Sequence, residues 1–318
     1  MEKNICLLIV TYNRKAYLEK LLKQIVNQTE KIDGIFIFDN YSSDGTDKLL
    51  RNMNIIKDIK EQKVIENRTN DITYYYYRNN RNTGGAGGFH KAFELIYDMN
   101  KFQYIWAMDD DVIPEDNCLE KLINFQDKDT MITIPNRTDE NFQDKACVEI
   151  DLKNPFKIFM KKKKIIKGEK LREQESIEVV DMAFEGPLVN CELLEKIGLP
   201  DEKYFIQFDD TDYATRASKV TKLRFVRDAI LHKQIIPTSI NNKLMNWKDY
   251  YAYRNDILFC QKYAENIFVK YITPILLYIN LFLKTIIKRK WKNIKVINKA
   301  FKDGYTKNEG KTINPGEL

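Results

Sequence analysis

The first part of the chain contains two kinds of apolar pattern, one typical of strands and the other typical of helices. Continuous apolar runs, which are typical of strands buried on both faces, occupy residues 5–10, 35–38, 74–77 and 104–108. Between them, apolar residues recur at helical spacing, as in residues 18–25 and 93–97. This order of strands and helices predicts an α/β fold with a mostly parallel sheet flanked by helices.

A polar cluster follows each of these four runs at the point where the predicted strand ends. The clusters occupy residues 11–14, 39–40, 81–88 and 109–111. Ligands of such sheets bind at the carboxyl ends of the strands, where neighbouring strand ends lie close together. We therefore expect the four clusters to border one ligand-binding site.

Three consecutive carboxylates, Asp109 to Asp111, form the cluster after the fourth run. Side chains alternate along extended backbone, so Asp109 and Asp111 are expected on one side and Asp110 on the other. Two carboxylates on one side make a hard oxygen site that suits Mg²⁺ or Mn²⁺. A polar loop after an edge strand is the alternative interpretation.

Residues 82–88 form a glycine-rich segment, and a helix is predicted to begin near Phe89. The segment lacks the GxxxxGK[ST] spacing of a P-loop. Its glycines would let the backbone approach a ligand closely, and the following helix would offer free N–H groups to a phosphate. A plain turn before a helix is the alternative.

A second acidic cluster, residues 209–212, lies far from the first along the chain. One of its carboxylates could act as a general base if the cluster faces the metal site, whereas a helix cap is the simpler interpretation. His232 follows an apolar run and could complete the Asp109/Asp111 site as a neutral imidazole ligand. A structural histidine is the alternative.

Composition narrows the class of protein. The 318 residues carry a net charge of +6, with lysine and arginine concentrated in residues 161–164 and 284–307. No recognisable nucleic-acid-reading module accompanies this charge, so we expect no nucleic-acid partner. We expect residues 161–164 to be a solvated face or loop.

The five cysteines are widely spaced, which is typical of buried, reduced thiols in a cytosolic protein. The first apolar run is too short for a signal peptide, and we therefore expect a cytoplasmic protein.

The composition changes near Pro237, which predicts a first domain over residues 1–237 and a helical region over residues 238–318. Residues 271–283 are apolar but too short and interrupted for a membrane-spanning helix. Basic and aromatic residues follow at 288–292, which favours a helix lying in a membrane interface. A buried helix or an oligomer contact is the alternative.

Taken together, these segments resemble the inverting family 2 glycosyltransferases with a GT-A fold. The matching segments are residues 10–14, 38–46, 82–89, 109–111 and 209–212, together with His232. The glycine-rich segment, the triple aspartate and residues 250–255 look most like galactofuranosyltransferases and related rhamnosyltransferases. The resemblance implies a GT-A domain, with a Rossmann-like, mostly parallel sheet, followed by a C-terminal helical extension.

The resemblance also implies a role for each matching position. Asp109 and Asp111 would hold Mn²⁺ or Mg²⁺ together with His232, and Asp210, beside Asp209, would be the catalytic base. Asp39 would bind the pyrimidine base, and Asp110 would lie nearer the ribose. The expected contacts to the nucleotide and the donor sugar are Thr11, Tyr12, Arg14, Asp39, Arg81, Gly84, Gly85, Gly87, Gly88 and Asp110. Residues 184–186 would shape the acceptor side.

The implied reaction moves a sugar from a nucleotide-sugar donor onto a saccharide or a lipid-linked glycan, in the synthesis of a cell-surface polysaccharide. UDP-galactofuranose is the first expected donor, and dTDP-rhamnose is the alternative. A nucleotidyltransferase would usually carry an early glycine- and Arg/Lys-rich signature, which residues 11–14 do not match. A catalytically inactive sugar- or membrane-binding module is the alternative from another class. Peripheral contact with the inner face of the cell membrane and an oligomeric state both stay open.

Overall fold

A computed structural model of the protein describes residues 4–69, 72–139, 142–171, 173–235, 244–314 and 316–317. Its strands are β1 (Ile5–Thr11), β2 (Gly34–Asp39), β3 (Val64–Thr69), β4 (Ile72–Arg78), β5 (Tyr104–Asp109), β6 (Val112–Pro114), β7 (Thr130–Asp139), β8 (Phe142–Gln143), β9 (Ala146–Ile150), β10 (Lys163–Ile166), β11 (Ser176–Val179), β12 (Leu188–Asn190) and β13 (Lys222–Lys233). Its α-helices are α1 (Lys15–Ile25), α2 (Thr46–Asn52), α3 (Gly84–Asp98), α4 (Cys118–Ile123), α5 (Glu192–Ile197), α6 (Asp209–Ala217), α7 (Trp247–Tyr263), α8 (Ile267–Ile287) and α9 (Asn293–Tyr305).

One large mixed sheet organises the described residues, in the order β11-β13-β7-β12-β5-β1-β2-β4-β3. The central strands β5, β1, β2 and β4 are parallel, as are β7 and β13, whereas β12 runs antiparallel between β5 and β7. The four strands predicted from the apolar runs are these central parallel strands. The predicted α/β fold with a mostly parallel sheet and C-terminal helices is therefore confirmed.

The register of the central strands brings their carboxyl ends to the same edge. Thr11 at the end of β1 lies opposite Asp39 of β2, and the adjacent Val10 lies opposite Asp109 of β5. Asp39 in turn lies opposite Arg78 of β4. Because this register is fixed by pairing along the whole length of β1, the polar residues after each strand are held near one another.

Helices cover both faces of the sheet. Alternate residues of β1 point to opposite sides: Leu8 packs in the core that contains Phe93 of α3, and Leu7 packs in the core that contains Leu21 of α1. Trp106 of β5 is fully buried, and its indole N–H donates to the carbonyl oxygen of Gly186 at 2.9 Å. All five cysteines are free thiols in buried positions.

The strands between residues 130 and 180 have a weak sequence signal, because β8 to β11 have only two to five residues each and β7 lacks a continuous apolar run over its ten residues. The expectation that residues 161–164 form a solvated face holds only for Lys161 and Lys164, which are exposed. Lys162 is buried, with Nζ 2.6 Å from Asp256 Oδ1 of α7, and Lys163 at the start of β10 pairs with Asp181. The two lysines with inward acidic partners are thus adjacent and lie between two exposed lysines.

The C-terminal helices α7, α8 and α9 pack against one another, and α7 contacts the segment before α6 through Arg254 and Asn255. The predicted boundary between residues 237 and 238 lies outside the described residues. Helix α8 has 21 residues, so the expectation of a shorter apolar segment was wrong. In the described part of the chain, α8 alone is long and apolar enough to cross a membrane by length and composition, a test that core helices of soluble proteins also pass.

Candidate active site

A cavity of about 430 Å³ opens at the carboxyl edge of the central strands. Its lining comes from residues 10–14, Asn40, and the segments 82–89, 109–110, 183–185, 205–210 and 247–248. All four polar clusters predicted at strand ends therefore reach one cavity, and the second acidic cluster borders it as well. Helix α7 closes part of the wall with Trp247 and Lys248.

Asp110 and Asp111 share one cationic partner. Arg14 Nη1 donates to Asp110 Oδ1 at 3.1 Å and to Asp111 Oδ2 at 2.8 Å, and Thr11 Oγ1 donates to Asp110 Oδ2 at 2.6 Å. The expected alternation of the three aspartates does not continue past Asp109, because β5 ends there and the next two residues form a turn. Burial raises the pKa of Asp110 to about 6, although Arg14 and Thr11 oppose the rise.

Asp109 is the carboxylate that fits a metal ion best. It lines the cavity and makes no hydrogen bond or ion pair to any residue that the structure describes. Burial raises its pKa well above the usual range, and the charges of Asp111, Glu185 and Asp110 raise it further. A divalent cation would supply the positive partner that Asp109 lacks among the described residues, and carboxylate oxygens are ligands that Mg²⁺ and Mn²⁺ accept.

The structure does not bring His232 to these acids, which corrects the predicted three-residue metal site. Lys233 of β13 points toward the cavity, where its Nζ lies 2.6 Å from Glu185 Oε2. Neighbouring residues of a strand face opposite sides, so His232 points away, with Nδ1 3.1 Å from the Thr138 carbonyl oxygen and Nε2 3.4 Å from Glu115 Oε1. Across the described residues, no three His, Cys, Asp or Glu side chains form a complete metal site.

Asp39 and Arg81 also lie away from the cavity lining. The Asp39 side chain is fully buried and accepts hydrogen bonds from Tyr76 Oη at 2.8 Å, Arg78 Nη1 at 3.0 Å and Ser42 N at 2.7 Å. These protein donors occupy the carboxylate that was expected to bind a nucleotide base. The Arg81 side chain is exposed to solvent.

Asn40, beside Asp39, connects the end of β2 to the glycine-rich segment. Its Nδ2 donates to the Gly84 carbonyl oxygen at 2.9 Å, and its Oδ1 accepts from the Thr83 backbone N–H at 3.1 Å. Asn40 also lines the cavity. The polar cluster at the end of β2 therefore contributes an amide that was not among the predicted contacts.

The glycine-rich segment is already helical, since α3 begins at Gly84 and not near Phe89. The low helix propensity of glycine explains why the sequence did not show this start. Gly84 and Gly85 line the cavity at the N-terminal end of α3. Gly84 has φ +74°, and a Cβ placed on it would lie 1.9 Å from the Phe205 carbonyl oxygen. Only glycine can therefore bring α3 this close to the segment before α6.

Gly87 and Gly88 serve packing. A Cβ on Gly88 would lie 2.9 Å from Val10 Cγ1, and a Cβ on Gly87 would lie 2.6 Å from Thr83 Cβ. Both glycines are buried and lie outside the cavity lining. Two of the four predicted glycines thus face the cavity, Gly88 allows α3 to approach Val10 of β1, and Gly87 leaves room for the Thr83 side chain.

Asp209 and Asp210 begin α6 and line the same cavity as Asp109 and Asp110. Burial raises the pKa of both carboxyl groups, and the two charges repel each other. Asp181 raises the pKa of Asp210 further, while Lys163 lowers it. Asp210 is partly exposed and Asp209 is buried, so Asp210 is the more accessible of the two.

Two groups of charged residues at the cavity were missed from the sequence. Lys163 Nζ pairs with Asp181 and lies 3.3 Å from Thr211 Oγ1, next to Asp210. Glu185, which was expected on the acceptor side, is held by Arg137 Nη1 at 3.0 Å in addition to Lys233. The lysine run at 161–164 hid Lys163, because no local pattern distinguishes it from its exposed neighbours.

Comparison with known proteins agrees with this architecture. The family described as Glycosyl transferase family 2 matches residues 6–198, which is more than half of the chain. Galactofuranosyltransferase GlfT1 of Mycolicibacterium smegmatis (strain ATCC 700084 / mc(2)155) is 22% identical over 214 residues, which cover 67% of this chain and 64% of that relative. The chain thus spans less than two thirds of the length of that relative.

Solved structures show the same fold at low identity. The mannosyltransferase PcManGT from Pyrobaculum calidifontis, in complex with GDP-Man and Mn²⁺, has a TM-score of 0.57 at 13% identity, covering 96% of this chain and 87% of that one. GalNAc-T7 with UDP, GalNAc and Mn²⁺ has a TM-score of 0.52 at 14% identity, covering 80% of this chain and 51% of that one. With its GT-A architecture, the chain belongs to glycosyl transferase family 2.

Proposed function

We propose that this protein is a metal-dependent, inverting glycosyltransferase that moves a sugar from a nucleotide-sugar donor onto an acceptor hydroxyl. One observation carries the proposal. Two acidic pairs, Asp109–Asp110 and Asp209–Asp210, which lie 100 residues apart in sequence, border a single cavity at the carboxyl edge of a parallel sheet. The family match is consistent with this reaction.

The donor nucleotide would occupy the side of the cavity formed by β1 and α3. Thr11, Tyr12 and Arg14 line this side, and Gly85 presents backbone at the N-terminal end of α3. The dipole of a 15-residue helix favours negative charge at its N-terminus, where the diphosphate would lie. Asp110 would face the ribose side of the same nucleotide.

Asp109 and Asp111 are the residues that we propose as metal ligands. Asp109 has no hydrogen-bond or ion-pair partner among the described residues. Asp111 is close enough for its charge to raise the pKa of Asp109, and its side chain pairs with Arg14 and is 12% exposed. A bound Mn²⁺ or Mg²⁺ would act there as a Lewis acid that neutralises charge on the departing diphosphate. Two structural neighbours, PcManGT and GalNAc-T7, were each solved with Mn²⁺.

Asp210 would act as the general base. It would accept the proton of the acceptor hydroxyl while the new glycosidic C–O bond forms and the C–O bond to the diphosphate breaks, which inverts the anomeric carbon. Its raised pKa brings it closer to neutral pH, where a general base is most effective. Asp181 would raise the basicity of Asp210 through its nearby negative charge, and Asp209 would lie beside Asp210 at the start of α6.

Galactofuranose from a UDP donor is the transferred sugar that we propose first. It rests on the 22% identity to GlfT1 and on the resemblance of residues 250–255 to that branch of the family. Rhamnose from a dTDP donor is the second candidate, because related rhamnosyltransferases share the same resemblance. The acceptor would be a saccharide or a lipid-linked glycan.

Titration and transfer assays test the proposal. Isothermal titration with UDP or dTDP, with and without Mn²⁺, should show metal-dependent binding, and Asp109→Asn should abolish its metal dependence. Asp210→Asn should keep this binding and slow sugar transfer by about 10²–10⁴-fold, the usual contribution of a positioned base. Asp98→Asn, the same change on the exposed end of α3, should leave transfer unchanged. Metal-independent binding, or normal transfer by Asp210→Asn, would reject these roles; binding without transfer would favour an inactive module.

We also propose peripheral contact of α8 with the inner face of an anionic membrane. One face of α8 packs against α7 and α9 through Leu277 and Leu281. The opposite side exposes apolar residues, among them Phe268, Ile272, Ile275, Ile279, Leu283 and Ile286. Lys284, Lys288 and Arg289 lie at its C-terminal end, where they complement anionic headgroups.

Vesicle sedimentation tests this contact with the full chain. The wild type should pellet with vesicles that contain anionic phospholipid and less with purely zwitterionic vesicles. Replacing Ile275, Ile279 and Leu283 together by serine should reduce pelleting, whereas Val26→Ser and Val220→Ser, changes to exposed residues elsewhere, should not. Equal pelleting of all forms would remove the membrane contact from the proposal.

A further inference from the structure

The segment immediately before Asp209 adopts backbone that L-residues rarely use. Phe205, Gln207 and Phe208 have φ angles of +66°, +65° and +70°. Such conformations persist only where surrounding contacts impose them, and they concentrate at functional sites. The segment also lines the cavity with residues 205–207. Its shape therefore determines where α6 begins and where the Asp209–Asp210 pair lies.

Two side chains of α7 hold this segment by its carbonyl groups. Asn255 Nδ2 lies 3.0, 2.8 and 2.9 Å from the carbonyl oxygens of Tyr204, Ile206 and Gln207, respectively. Arg254 Nη2 donates to the Tyr204 carbonyl oxygen at 2.8 Å. Arg254 Nε also donates to Asn255 Oδ1 at 2.8 Å, which turns the Asn255 amide nitrogen toward the segment.

Arg254 is fully buried, and no carboxylate of the described residues lies within ion-pair distance of it. Its remaining contacts include the Gly310 carbonyl oxygen, 2.6 Å from Nη1, and the ring of Tyr251, whose centroid lies 4.6 Å from Cζ. Burial lowers the pKa of the guanidinium. A buried cation is costly unless it is fully hydrogen-bonded, and here its donors hold backbone carbonyls and orient Asn255.

Helix α7 also holds the chain after the acidic pair. Asp212, one turn into α6, is fully buried, and its Oδ1 accepts from Lys262 Nζ at 2.7 Å and from Tyr263 Oη at 2.7 Å. The Tyr204 hydroxyl donates to the same oxygen at 3.1 Å. The acidic pair is therefore fixed by α7 from both sides in sequence.

We propose that Arg254 and Asn255 are positioning residues for the Asp209–Asp210 pair, which makes α7 part of the catalytic machinery. The inference rests on the proposed function, in which Asp210 is the base. A base must lie within hydrogen-bond reach of the hydroxyl that it deprotonates, and small displacements of a reacting group lower the rate steeply. The carbonyl clamp keeps a strained segment, and hence Asp210, in that place.

Asn255→Asp in the full-length protein is the main test, because it keeps the shape of the side chain and replaces the donating nitrogen by an accepting oxygen. We expect kcat for sugar transfer to fall at least tenfold, with the donor KM and the Kd for UDP with Mn²⁺ within about threefold of wild type. Hydrogen–deuterium exchange of peptides covering residues 204–212 should speed up. Ile257→Ala is the control, because it creates a cavity on the side of α7 that packs against α8 and α9. It should lower Tm without this change in kcat.

Unchanged kcat and unchanged exchange in a folded Asn255→Asp variant would overturn the inference. The inference would also be overturned if Ile257→Ala, at an equal loss of Tm, lowered kcat as much as Asn255→Asp does. If Asn255→Asp does not fold, Arg254→Lys decides, since it keeps the charge and removes the donors to the Tyr204 carbonyl oxygen and to Asn255 Oδ1. It should lower kcat without raising KM, and a normal kcat there overturns the inference. A wild type that transfers no sugar would refute the proposed function, while the exchange measurement still tests the clamp.

Discussion

The lysine beside the proposed base should determine the acid limb of the pH–rate profile. Burial raises the pKa of Asp210 to about 6, Asp181 pushes it up, and Lys163 pulls it down. A base works in its deprotonated form, so transfer should be present above this pKa and lost as the pH falls through it. Lys163→Met keeps the length of the side chain and removes its charge. The pKa of Asp210, and with it the acid limb, should therefore move to higher pH.

The size of the effect follows from the ionised fraction. A carboxyl group with a pKa of about 6 is about 90% ionised at pH 7 and about 10% ionised at pH 5, so kcat should fall about ninefold between them. An ordinary aspartate, with a pKa of about 3.9, would lose less than about a tenth of its ionised form over that range. We expect Lys163→Met to raise the apparent pKa by about one unit, equivalent to about 1.4 kcal/mol, and to halve kcat at pH 7.

Release of UDP should be followed from about pH 4.5 to pH 8.5 at saturating donor and metal, so that the profile reports the enzyme–substrate complex. Lys164→Met is the matched control, because Lys164 is the next residue of β10 and its side chain is 72% exposed. Its profile should coincide with the wild type, and Asp181→Asn should move the acid limb to lower pH. An acid limb that stays in place or moves down in Lys163→Met would refute the assignment of Asp210 as the titrating base.

Gly84→Ala should abolish UDP binding or folding, since its Cβ would lie 1.9 Å from the Phe205 carbonyl oxygen; titration and circular dichroism would check this. Gly168→Ala is the control, because Gly168 also has a positive φ, +66°, lies outside the cavity lining, and a Cβ there meets nothing within 4 Å. Lys162→Met should lower the free energy of unfolding in urea by about 3–5 kcal/mol, because it leaves the buried carboxylate of Asp256 unpaired, and adding Asp256→Leu should recover much of the loss. Removal of divalent metal with EDTA should eliminate the thermal stabilisation by UDP, and added Mn²⁺ should restore it; stabilisation that survives EDTA would contradict the metal-dependent donor site.

The central half of the sheet could be predicted because its strands are long, apolar and continuous. β1, β2 and β5 are buried on both faces, so their composition alone separates them from the helices between them. The strands at the other edge gave no such signal. β7 and β11 pair with β13, which follows them by tens of residues, and their apolar positions make sense only against that distant partner.

The site shows the same division between local and distant information. The acidic clusters at 109–111 and 209–212 were visible because several carboxylates adjoin in sequence, and both clusters do border the cavity. The surroundings that decide what a side chain does were not visible. Asp39 is enclosed by three protein donors, and His232 is turned away by the alternation of β13. His232 and Lys233 are neighbours in β13 and therefore face opposite sides. Lys233 reaches the cavity side, where the histidine was expected.

Residues 250–255 show how a sequence motif can matter without contributing to the chemistry directly. They follow the acidic pair by about forty residues, and the sequence alone offered only a resemblance for them. In the structure, Arg254 and Asn255 donate to backbone carbonyl oxygens of the segment before Asp209. Every residue has such a carbonyl group, so the sequence could not show which ones these side chains bind. The strained backbone that places the acidic pair at the start of α6 persists only if other parts of the chain hold it, and here side chains of α7 do so through hydrogen bonds. The C-terminal helices therefore contribute more to this protein than an attachment to a membrane would require.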